Sequence, residues 1–309
     1  MRVLAPAKIN IHLRVGPRRT DGFHPLMSWM VTVGLFDTLT FQTKSDTHVP
    51  PTGGSSTSHL SLRCDNPRLP CDQRNLIVKI ANAWREESKP DLKNTTDLQV
   101  FLEKRIPVGA GLGGGSSDGA FALMALNRLW RSGGAADVLS AFAARFGSDL
   151  SFFFHGPSSV CRGRGEIVSP IPRPTARWAV LVLPKRSMPT PDVYRRFDQM
   201  NLGREEDIVN EPDWKNWAAL KSWELLPRLV NDLEPPAFDI APDLAHLRSR
   251  VETAIGRPVR MSGSGSSLFT LSDEQSHAVE AAEKIERDTN ERAVPVEVAP
   301  IFDDDLQRE

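Results

Sequence analysis

The chain has 309 residues, with 38 lysines and arginines against 39 aspartates and glutamates. A chain of this length usually forms two domains, and the balanced charge argues against proteins that coat nucleic acid or bind membranes through basic surfaces. No apolar run resembles a secretory signal or approaches the roughly 20 residues of a membrane span. The three cysteines form no C-x-x-C pair, which is typical of a reducing compartment. We predict a cytoplasmic protein with no nucleic-acid, membrane or obligate protein partner.

The first half of the chain predicts strands and helices in turn. Apolar and polar residues alternate, or β-branched residues cluster, at residues 7–13, 29–33, 38–41 and 98–102, which predicts strands. Apolar residues at helical spacing predict helices that begin near Asn75, a good amino-terminal cap, and at residue 136. Residues 44–58 are rich in glycine, proline and serine and are predicted to form a polar loop.

A proline-rich segment at residues 169–177 predicts an extended linker. We place the domain boundary there, which gives an amino-terminal domain of residues 1–170 and a carboxy-terminal domain of residues 178–309. Beyond the linker, strands are predicted at residues 178–183, 258–261, 268–271 and 294–298, and helices at 218–229, 243–255 and 273–287. Few strands among several helices predict a two-layer α+β domain.

A glycine-rich segment, PVGAGLGGGSSDG from Pro107 to Gly119, is the most informative part of the sequence. Closely spaced glycines permit positive φ and expose backbone N–H groups, and the amino terminus of the next helix attracts anions. Ser116 and Ser117 are predicted to cap that helix. We predict that the segment binds the phosphates of a nucleotide. The residues assigned to this role are Pro107, Val108, Gly109, Ala110, Gly111, Leu112, Gly113, Gly114, Gly115, Ser116 and Ser117.

Two familiar nucleotide motifs fit this segment poorly. It matches G-x-G-x-x-G, but a basic, proline-interrupted stretch precedes it instead of a hydrophobic strand, and no acidic residue closes a strand about 20 residues later. The Walker A pattern fails because the chain contains no Gly-Lys dipeptide. A nicotinamide-dependent dehydrogenase is therefore the least favoured of the functions considered.

Four other motifs accompany the glycine-rich segment: PAKIN from Pro6, DGFH from Asp21, GSD from Gly147 and SGSG from Ser262. In order and spacing they resemble the GHMP kinases, which include galactokinase and the homoserine and mevalonate kinases. The combination of PAKIN, DGFH and GLGGGSSD is most similar to the members that phosphorylate the 2-hydroxyl of a cytidine-diphosphate-linked methylerythritol in the non-mevalonate isoprenoid pathway. The resemblance spans essentially the whole chain.

The resemblance implies a two-domain α+β GHMP kinase fold, with a ribosomal-protein-like amino-terminal domain, a ferredoxin-like carboxy-terminal domain and an active site in the cleft between them. It also implies that residues 107–117 bind ATP. The chain departs from the family in having Leu150 and Ser151 where Val-Pro is usual, and Phe23 where tyrosine is commoner. Neither change removes a charged group.

The resemblance further implies that Lys8 and Asp149 are catalytic, with Asp149 accepting the proton of the substrate hydroxyl and Lys8 offsetting the developing charge. From the residues alone, helix capping would be the favoured role of Asp149, and Lys8 would be an exposed strand residue; the resemblance reverses both. Mg²⁺ is expected between the β- and γ-phosphates, with Ser116 or Ser117 as a possible ligand. Capping alone would also explain these serines.

For the substrate, the resemblance implies that Phe23 and Tyr194 hold the cytosine ring between them, that His24 reads its edge and that Asn10 orients the methylerythritol. Core packing or a turn would otherwise explain Phe23 and His24. The turn at residues 263–267 could line the cleft or simply join two strands. Alternative functions are another small-alcohol GHMP kinase, acting on mevalonate or homoserine, and a nucleotide-binding module without catalysis.

Overall fold

The computed structural model describes residues 1–43, 60–89 and 97–307. The polar loop predicted at residues 44–58 lies outside these ranges. The strands are β1 (Arg2–Val15), β2 (Leu26–Thr43), β3 (Leu60–Cys64), β4 (Leu98–Glu103), β5 (Ser158–Gly163), β6 (Ile167–Pro170), β7 (Trp178–Val182), β8 (Arg260–Met261), β9 (Leu268–Ser272) and β10 (Ala293–Glu297). In the first half the helices are α1 (Leu76–Ser88), α2 (Gly114–Leu129), α3 (Ala136–Ala143) and α4 (Ser148–Phe152). In the second half they are α5 (Thr190–Gln199), α6 (Glu206–Val209), α7 (Trp214–Ala219), α8 (Ser222–Leu225), α9 (Glu234–Ile240), α10 (Pro242–Ile255) and α11 (Gln275–Thr289).

Each half of the chain is built on its own sheet. The first sheet has the order β3-β4-β2-β5-β6, with β1 paired antiparallel to β2. Only the β3–β4 pair in it is parallel. The second sheet has the order β10-β7-β9-β8 and is antiparallel. The predicted α+β fold class is confirmed.

Three apolar clusters hold these layers together. One lies between the first sheet and helices α1 to α4, and another packs the second sheet against α5 and α9 to α11. The third joins the halves, because Ile9 and Trp29 of the first sheet pack with Leu181 and Phe269 of the second. The relative position of the two halves is therefore set by a buried apolar interface as well as by the connecting chain.

The chain between the sheets is the predicted linker. The first sheet ends at Pro170 and the second begins at Trp178. Part of the proline-rich segment is not a free linker, because β6 pairs with β5 as an edge strand, where proline is tolerated. The division into domains 1–170 and 178–309 stays a prediction.

Three local predictions were wrong. Residues 29–33 and 38–41 belong to one strand, β2, which pairs with β1 between Leu26 and Thr40, apart from a bulge opposite Pro6 and Ala7, and with β4 from Thr38 to Thr43. The helix predicted at 218–229 is broken into α7, α8 and a 3₁₀ turn, since Leu220 is extended and Pro227 lacks the N–H that a helix interior needs. Helix α2 begins at Gly114 with Gly113 as its cap, so Ser116 and Ser117 lie inside the first turn and do not cap it.

Candidate active site

A cleft of about 1380 Å³ is lined by residues of both halves of the chain. Strand β1, the glycine-rich segment and the start of α4 contribute from the first half; α5 and the turn after β8 contribute from the second. Every predicted site residue except Ser117 lines this cleft. The motifs that are far apart in the sequence are therefore brought to one site.

The backbone carbonyls of the glycine-rich segment are bound by the surrounding structure. The Leu112 carbonyl accepts from Lys8 N at 2.9 Å, the Ala110 carbonyl from Ser267 N at 3.1 Å and the Gly109 carbonyl from Met188 N at 3.2 Å. The Gly111 carbonyl accepts from the Ser262 hydroxyl at 3.0 Å. Four consecutive carbonyls thus fix the segment to β1 and to the carboxy-terminal half, and these bonds preform its shape.

The N–H groups of the same segment are left for a ligand. Within residues 1–43, 60–89 and 97–307, no backbone N–H from Gly109 to Gly113 has a hydrogen-bond acceptor. Gly111 and Gly113 adopt φ of +77° and +66°, and a Cβ on Gly111 would overlap the Ser262 carbonyl. Free N–H groups followed by the amino terminus of the 16-residue helix α2 are the kind of donors that bind anions. That residues 107–117 bind the phosphates of a nucleotide stays a prediction.

Lys8 and Asp149 meet beside this loop. Lys8 Nζ lies 3.0 Å from Asp149 Oδ2 and donates to Asn10 Oδ1 at 2.6 Å. Lys8 and Asn10 share a face of β1 because alternate strand residues point the same way, and both are buried. Asp149 is 32% exposed and is in the first turn of α4, whose cap is Gly147, so helix capping does not explain this carboxylate.

The turn after β8 closes the cleft from the other half. Ser262 Oγ accepts from Asn10 N at 3.2 Å while donating to the Gly111 carbonyl. A Cβ on Gly263 would lie 3.2 Å from Asn10 Oδ1. Asn231, which the sequence did not single out, donates to the carbonyls of Met261 and Gly263 and holds the turn in place. Of the two roles that the sequence leaves open for this turn, lining the cleft is the correct one.

A buried ionic cluster lies beneath the glycine-rich segment and has no signal in the sequence. Lys104 bridges the carboxylates of Asp37 and Asp118, the latter at 2.7 Å. Asp37 also accepts from the backbone N–H groups of Arg105 and Ile106, whereas Asp118 Oδ1 has no hydrogen-bond partner in the described part of the chain. Burial raises the pKa of Asp118 to about 7, because one ammonium cannot balance two buried carboxylates.

The aromatic residues predicted to bind the base also line the cleft, and we call the part that they line the base end. Phe23 is 51% exposed, and Tyr194, on α5, packs against His24 with ring centroids 5.2 Å apart. Burial and the charge of Asp149 raise the pKa of Tyr194, so its hydroxyl stays protonated. Both rings line the cleft, and Tyr194 lies within electrostatic range of the Asp149 carboxylate.

The imidazole of His24 is already engaged. Nδ1 lies 3.0 Å from the Gly16 carbonyl and Nε2 lies 3.1 Å from Asp198 Oδ1. Neither nitrogen is free to read a base unless Asp198 releases it. Asp198, on α5, had no signal in the sequence, because a single aspartate on a polar helix face is ordinary. The role of His24 as a reader of the base edge stays a prediction.

Models of two protein families match the chain. The GHMP kinases N terminal domain matches residues 75–157, and the GHMP kinases C terminal domain matches residues 209–291. A 4-diphosphocytidyl-2-C-methyl-D-erythritol kinase from Synechococcus sp. (strain CC9605) is 38% identical over 281 residues, which cover 87% of this chain and 86% of the relative. The chain belongs to the GHMP kinases, in the branch of the 4-diphosphocytidyl-2-C-methyl-D-erythritol kinases.

Solved structures agree with this membership. The crystal structure of a 4-(cytidine 5'-diphospho)-2C-methyl-D-erythritol kinase superposes with a TM-score of 0.74 at 34% identity, covering 97% of this chain and all of that chain. A homoserine kinase from Cytophaga hutchinsonii superposes with a TM-score of 0.64 over 97% of this chain and 94% of its own, at 17% identity. The latter shows the shared fold alone. The predicted GHMP kinase fold and ATP-dependent phosphotransferase class are confirmed.

The glycine-rich segment and the start of α2 form what we call the phosphate end of the cleft. Its polar groups are compatible with the expected magnesium ion, which stays a prediction. Ser116 lines the cleft in the first turn of α2, whereas the hydroxyl of Ser117 is fully buried and has no partner within the described ranges. No cluster of three histidine, cysteine or acidic residues suited to a metal occurs among the residues described. Magnesium bound through substrate phosphates keeps several waters and needs few protein ligands.

No described helix combines the length and apolar character needed to cross a membrane.

Proposed function

We propose that this chain transfers the γ-phosphoryl group of ATP to the 2-hydroxyl of 4-diphosphocytidyl-2-C-methyl-D-erythritol, giving the 2-phosphate and ADP. The observation that carries the proposal is the Lys8–Asp149 ion pair, 3.0 Å long, beside a preformed anion-binding loop. The resemblance of the sequence and the names of its relatives supply the substrate. The reaction would belong to isoprenoid precursor synthesis by the non-mevalonate route.

At the phosphate end, residues 107–117 would bind the ATP phosphates through backbone N–H groups. Because the carbonyls of the loop are already hydrogen-bonded, the N–H donors need no rearrangement when ATP binds. Less conformational entropy of the loop is then lost on binding. Ser116 would hold a Mg²⁺ ion, which would neutralise charge on the β- and γ-phosphates. Ser117 is the weaker candidate because its hydroxyl does not face the cleft.

At the reacting centre, Asp149 would accept the proton of the substrate hydroxyl, and Lys8 would stabilise negative charge on the transferred group. Phosphoryl transfer depends mainly on positioning and charge stabilisation. The buried Lys8 ammonium is fixed by both Asn10 and Asp149, so it is held in place before substrate binds. Asn10 would contribute a side-chain amide to the same region.

At the base end, Phe23 and Tyr194 would hold the cytosine ring. Aromatic stacking contributes about 0.5–1.5 kcal/mol beyond area burial, which favours a flat base over a small alcohol such as mevalonate or homoserine. These two alcohols offer nothing for the rings to contact, so the other small-alcohol kinases are the weaker alternative. We further propose that the enzyme acts as a free cytoplasmic protein without nucleic-acid or membrane partners.

The deciding experiment measures ADP release with Mg-ATP and 4-diphosphocytidyl-2-C-methyl-D-erythritol, with mevalonate and homoserine as comparison acceptors. We expect turnover with the cytidyl compound alone, and a loss of about a hundredfold to ten-thousandfold in kcat for Asp149→Asn and Lys8→Ala. Asp137→Asn is the matched control, since Asp137 also lies in the first turn of a helix but is exposed. Its turnover should equal that of the unchanged protein.

Two results would reject the proposal in different ways. ADP release with mevalonate or homoserine, and none with the cytidyl compound, would replace the substrate while keeping the kinase. ATP binding without release of ADP in the presence of any acceptor would favour a nucleotide-binding module without catalysis.

A further inference from the structure

The turn between β5 and β6 carries an arginine, Arg164, between two glycines. Gly163 and Gly165 adopt φ of +72° and +116°, and a Cβ on Gly165 would lie 3.3 Å from Cβ of Ser148, the neighbour of Asp149. The turn therefore lies against the start of α4, next to the reacting centre. No role for it was expected from the sequence.

The guanidinium of Arg164 lies over the ring of Phe23. Its carbon is 4.7 Å from the ring centroid, which is a cation–π contact. The backbone at Phe23 is also fixed, because Phe23 N donates to Asp21 Oδ1 at 3.0 Å and the Phe23 carbonyl accepts from Arg19 N at 2.8 Å. Arg164 thus connects the base end of the cleft to the segment that carries Asp149.

The charge of Arg164 is less compensated than that of the other arginines in the cleft. Arg18, Arg74, Arg145 and Arg195 each pair with a carboxylate at 3.5 Å or less. The nearest carboxylate to Arg164, Glu166, is 3.9 Å away, and it accepts instead from the Arg164 backbone N–H at 2.6 Å. Among the residues that the structure describes, no oxygen accepts a hydrogen bond from the Arg164 guanidinium.

We propose that Arg164 binds the diphosphate of the nucleotide-linked substrate while its guanidinium rests on Phe23. The inference rests on the proposed function. A substrate with its base at Phe23 and its alcohol at Asp149 must pass its anionic diphosphate between these two points, where Arg164 lies. A guanidinium can stack on a ring through its face and donate to phosphate oxygens through its edge. Arg164 is then a substrate-binding residue that selects nucleotide-linked alcohols over free ones.

The test separates the diphosphate from the base by comparing two ligands. Calorimetry would measure the affinity of the intact protein for cytidine diphosphate and for cytidine, with Arg164→Met and Arg164→Lys alongside. Methionine keeps an unbranched apolar contact with the ring and removes the charge. Arg195→Met is the matched control, because Arg195 lines the same cleft but is paired with Asp192 at 3.0 Å.

In Arg164→Met, we expect cytidine diphosphate to bind about tenfold to a hundredfold more weakly, as for loss of a charge-assisted hydrogen bond. The affinity for cytidine should fall by less than about threefold. Arg164→Lys should fall between because lysine lacks the planar fork. In turnover, the KM for the cytidyl substrate should rise while the KM for ATP and kcat stay within about twofold. Arg195→Met should leave both affinities unchanged.

An equal loss for cytidine and cytidine diphosphate in Arg164→Met would overturn the inference, since Arg164 would then act only through Phe23. So would an unchanged affinity for cytidine diphosphate, or a larger loss in Arg195→Met. These outcomes leave the proposed function standing. Failure of the unchanged protein to bind either ligand would overturn the proposed function together with the inference.

Discussion

The two ends of the cleft differ in the groups that they present to a ligand. At the phosphate end the ligand would meet backbone N–H groups whose carbonyls are already fixed by β1 and by the second half of the chain. At the base end it would meet side chains: a half-exposed Phe23 on a loop, Tyr194 on a helix and Arg164 on a turn. The first region is fixed through its backbone hydrogen bonds, whereas the second is formed by the packing of side chains.

The difference follows from what each end would recognise. Phosphate oxygens are bound by several directed hydrogen bonds, so a donor that is misplaced by a small distance loses most of its contribution to the binding free energy. A flat base is recognised largely by contact area, which tolerates small movements of a ring. We therefore expect substitutions at the phosphate end to disturb structure and ATP binding together, and those at the base end to alter only the affinity for the second substrate.

Among substitutions that compare the two ends of the cleft, Gly111→Ala should have the largest effect on stability and turnover. Its φ of +77° is unfavourable for alanine, and the new Cβ would overlap the Ser262 carbonyl and lie 3.0 Å from that of Gly265. We expect the free energy of unfolding to fall by about 2–4 kcal/mol and turnover by at least about a hundredfold, because the bonds from the turn after β8 fix the loop. Thermal unfolding and ADP release would measure the two effects.

Gly115→Ala is the matched control, because the space around its Cβ is open. Gly115 lies in the first turn of α2 and lines the cleft. Alanine there should leave the melting temperature unchanged or slightly higher, while its methyl group raises the KM for ATP. If both alanine variants unfolded alike, the loop would not be held by the contacts described.

The sequence predicts the elements of the phosphate end well. Glycine spacing and an apolar helix are local signals, so the sequence alone predicts the glycine-rich loop and the helix that follows it. Phosphate binding by residues 107–117 stays a prediction. Asn75 is likewise correctly predicted to cap α1, through its bond from Ile77 N. The prediction fails at the cap of α2, because serines usually cap helices but here Gly113 adopts the left-handed conformation and α2 starts two residues before Ser116.

The arrangement of the base end could not be predicted in the same way. Phe23, His24 and Tyr194 were assigned through resemblance, but the pairing of His24 with Asp198 joins residues 174 positions apart along the chain. Nothing local to either residue indicates such a contact. Lys104 and Asp118 show the same limit: their charges are visible in the sequence, whereas their common burial with Asp37 depends on how β2, β4 and α2 pack.

A smaller effect should come from Tyr194→Leu. Loss of the ring removes about 0.5–1.5 kcal/mol of stacking, which corresponds to roughly a twofold to tenfold increase in the KM for the cytidyl substrate. Because Tyr194 makes no hydrogen bond to the glycine-rich segment among the described residues, the KM for ATP should not change. Steady-state kinetics with each substrate varied in turn would measure both constants.

Tyr194→Phe keeps the ring and removes only the hydroxyl. We expect its kinetic constants to stay within about twofold of those of the unchanged protein, since stacking uses the ring face. A rise in the KM for ATP in Tyr194→Leu would mean that the two ends of the cleft are coupled and do not bind their ligands independently.

The smallest effect concerns the ionic cluster beneath the glycine-rich segment. It should appear as a change in how the melting temperature depends on pH. Burial raises the pKa of Asp118 from 3.8 to about 7, so the folded protein holds this proton more tightly than the unfolded chain. The stabilisation is complete below pH 3.8 and is lost as pH rises through about 7. Asp118→Asn should remove this contribution. Between about pH 5 and about pH 8, the melting temperature of the variant should therefore fall by roughly 2–4 °C less than that of the unchanged protein.

Asp118 Oδ1 lacks a hydrogen-bond partner among the described residues, and burial raises the pKa of this carboxyl to about 7. Thermal unfolding across the pH series would measure how steeply the melting temperature falls with pH. Asp137→Asn, which replaces an exposed carboxylate, should retain the slope of the unchanged protein. An undiminished slope in Asp118→Asn would mean that the cluster does not hold the extra proton. The rigidity of the phosphate end would then depend on the loop carbonyls without a pH-sensitive support beneath them.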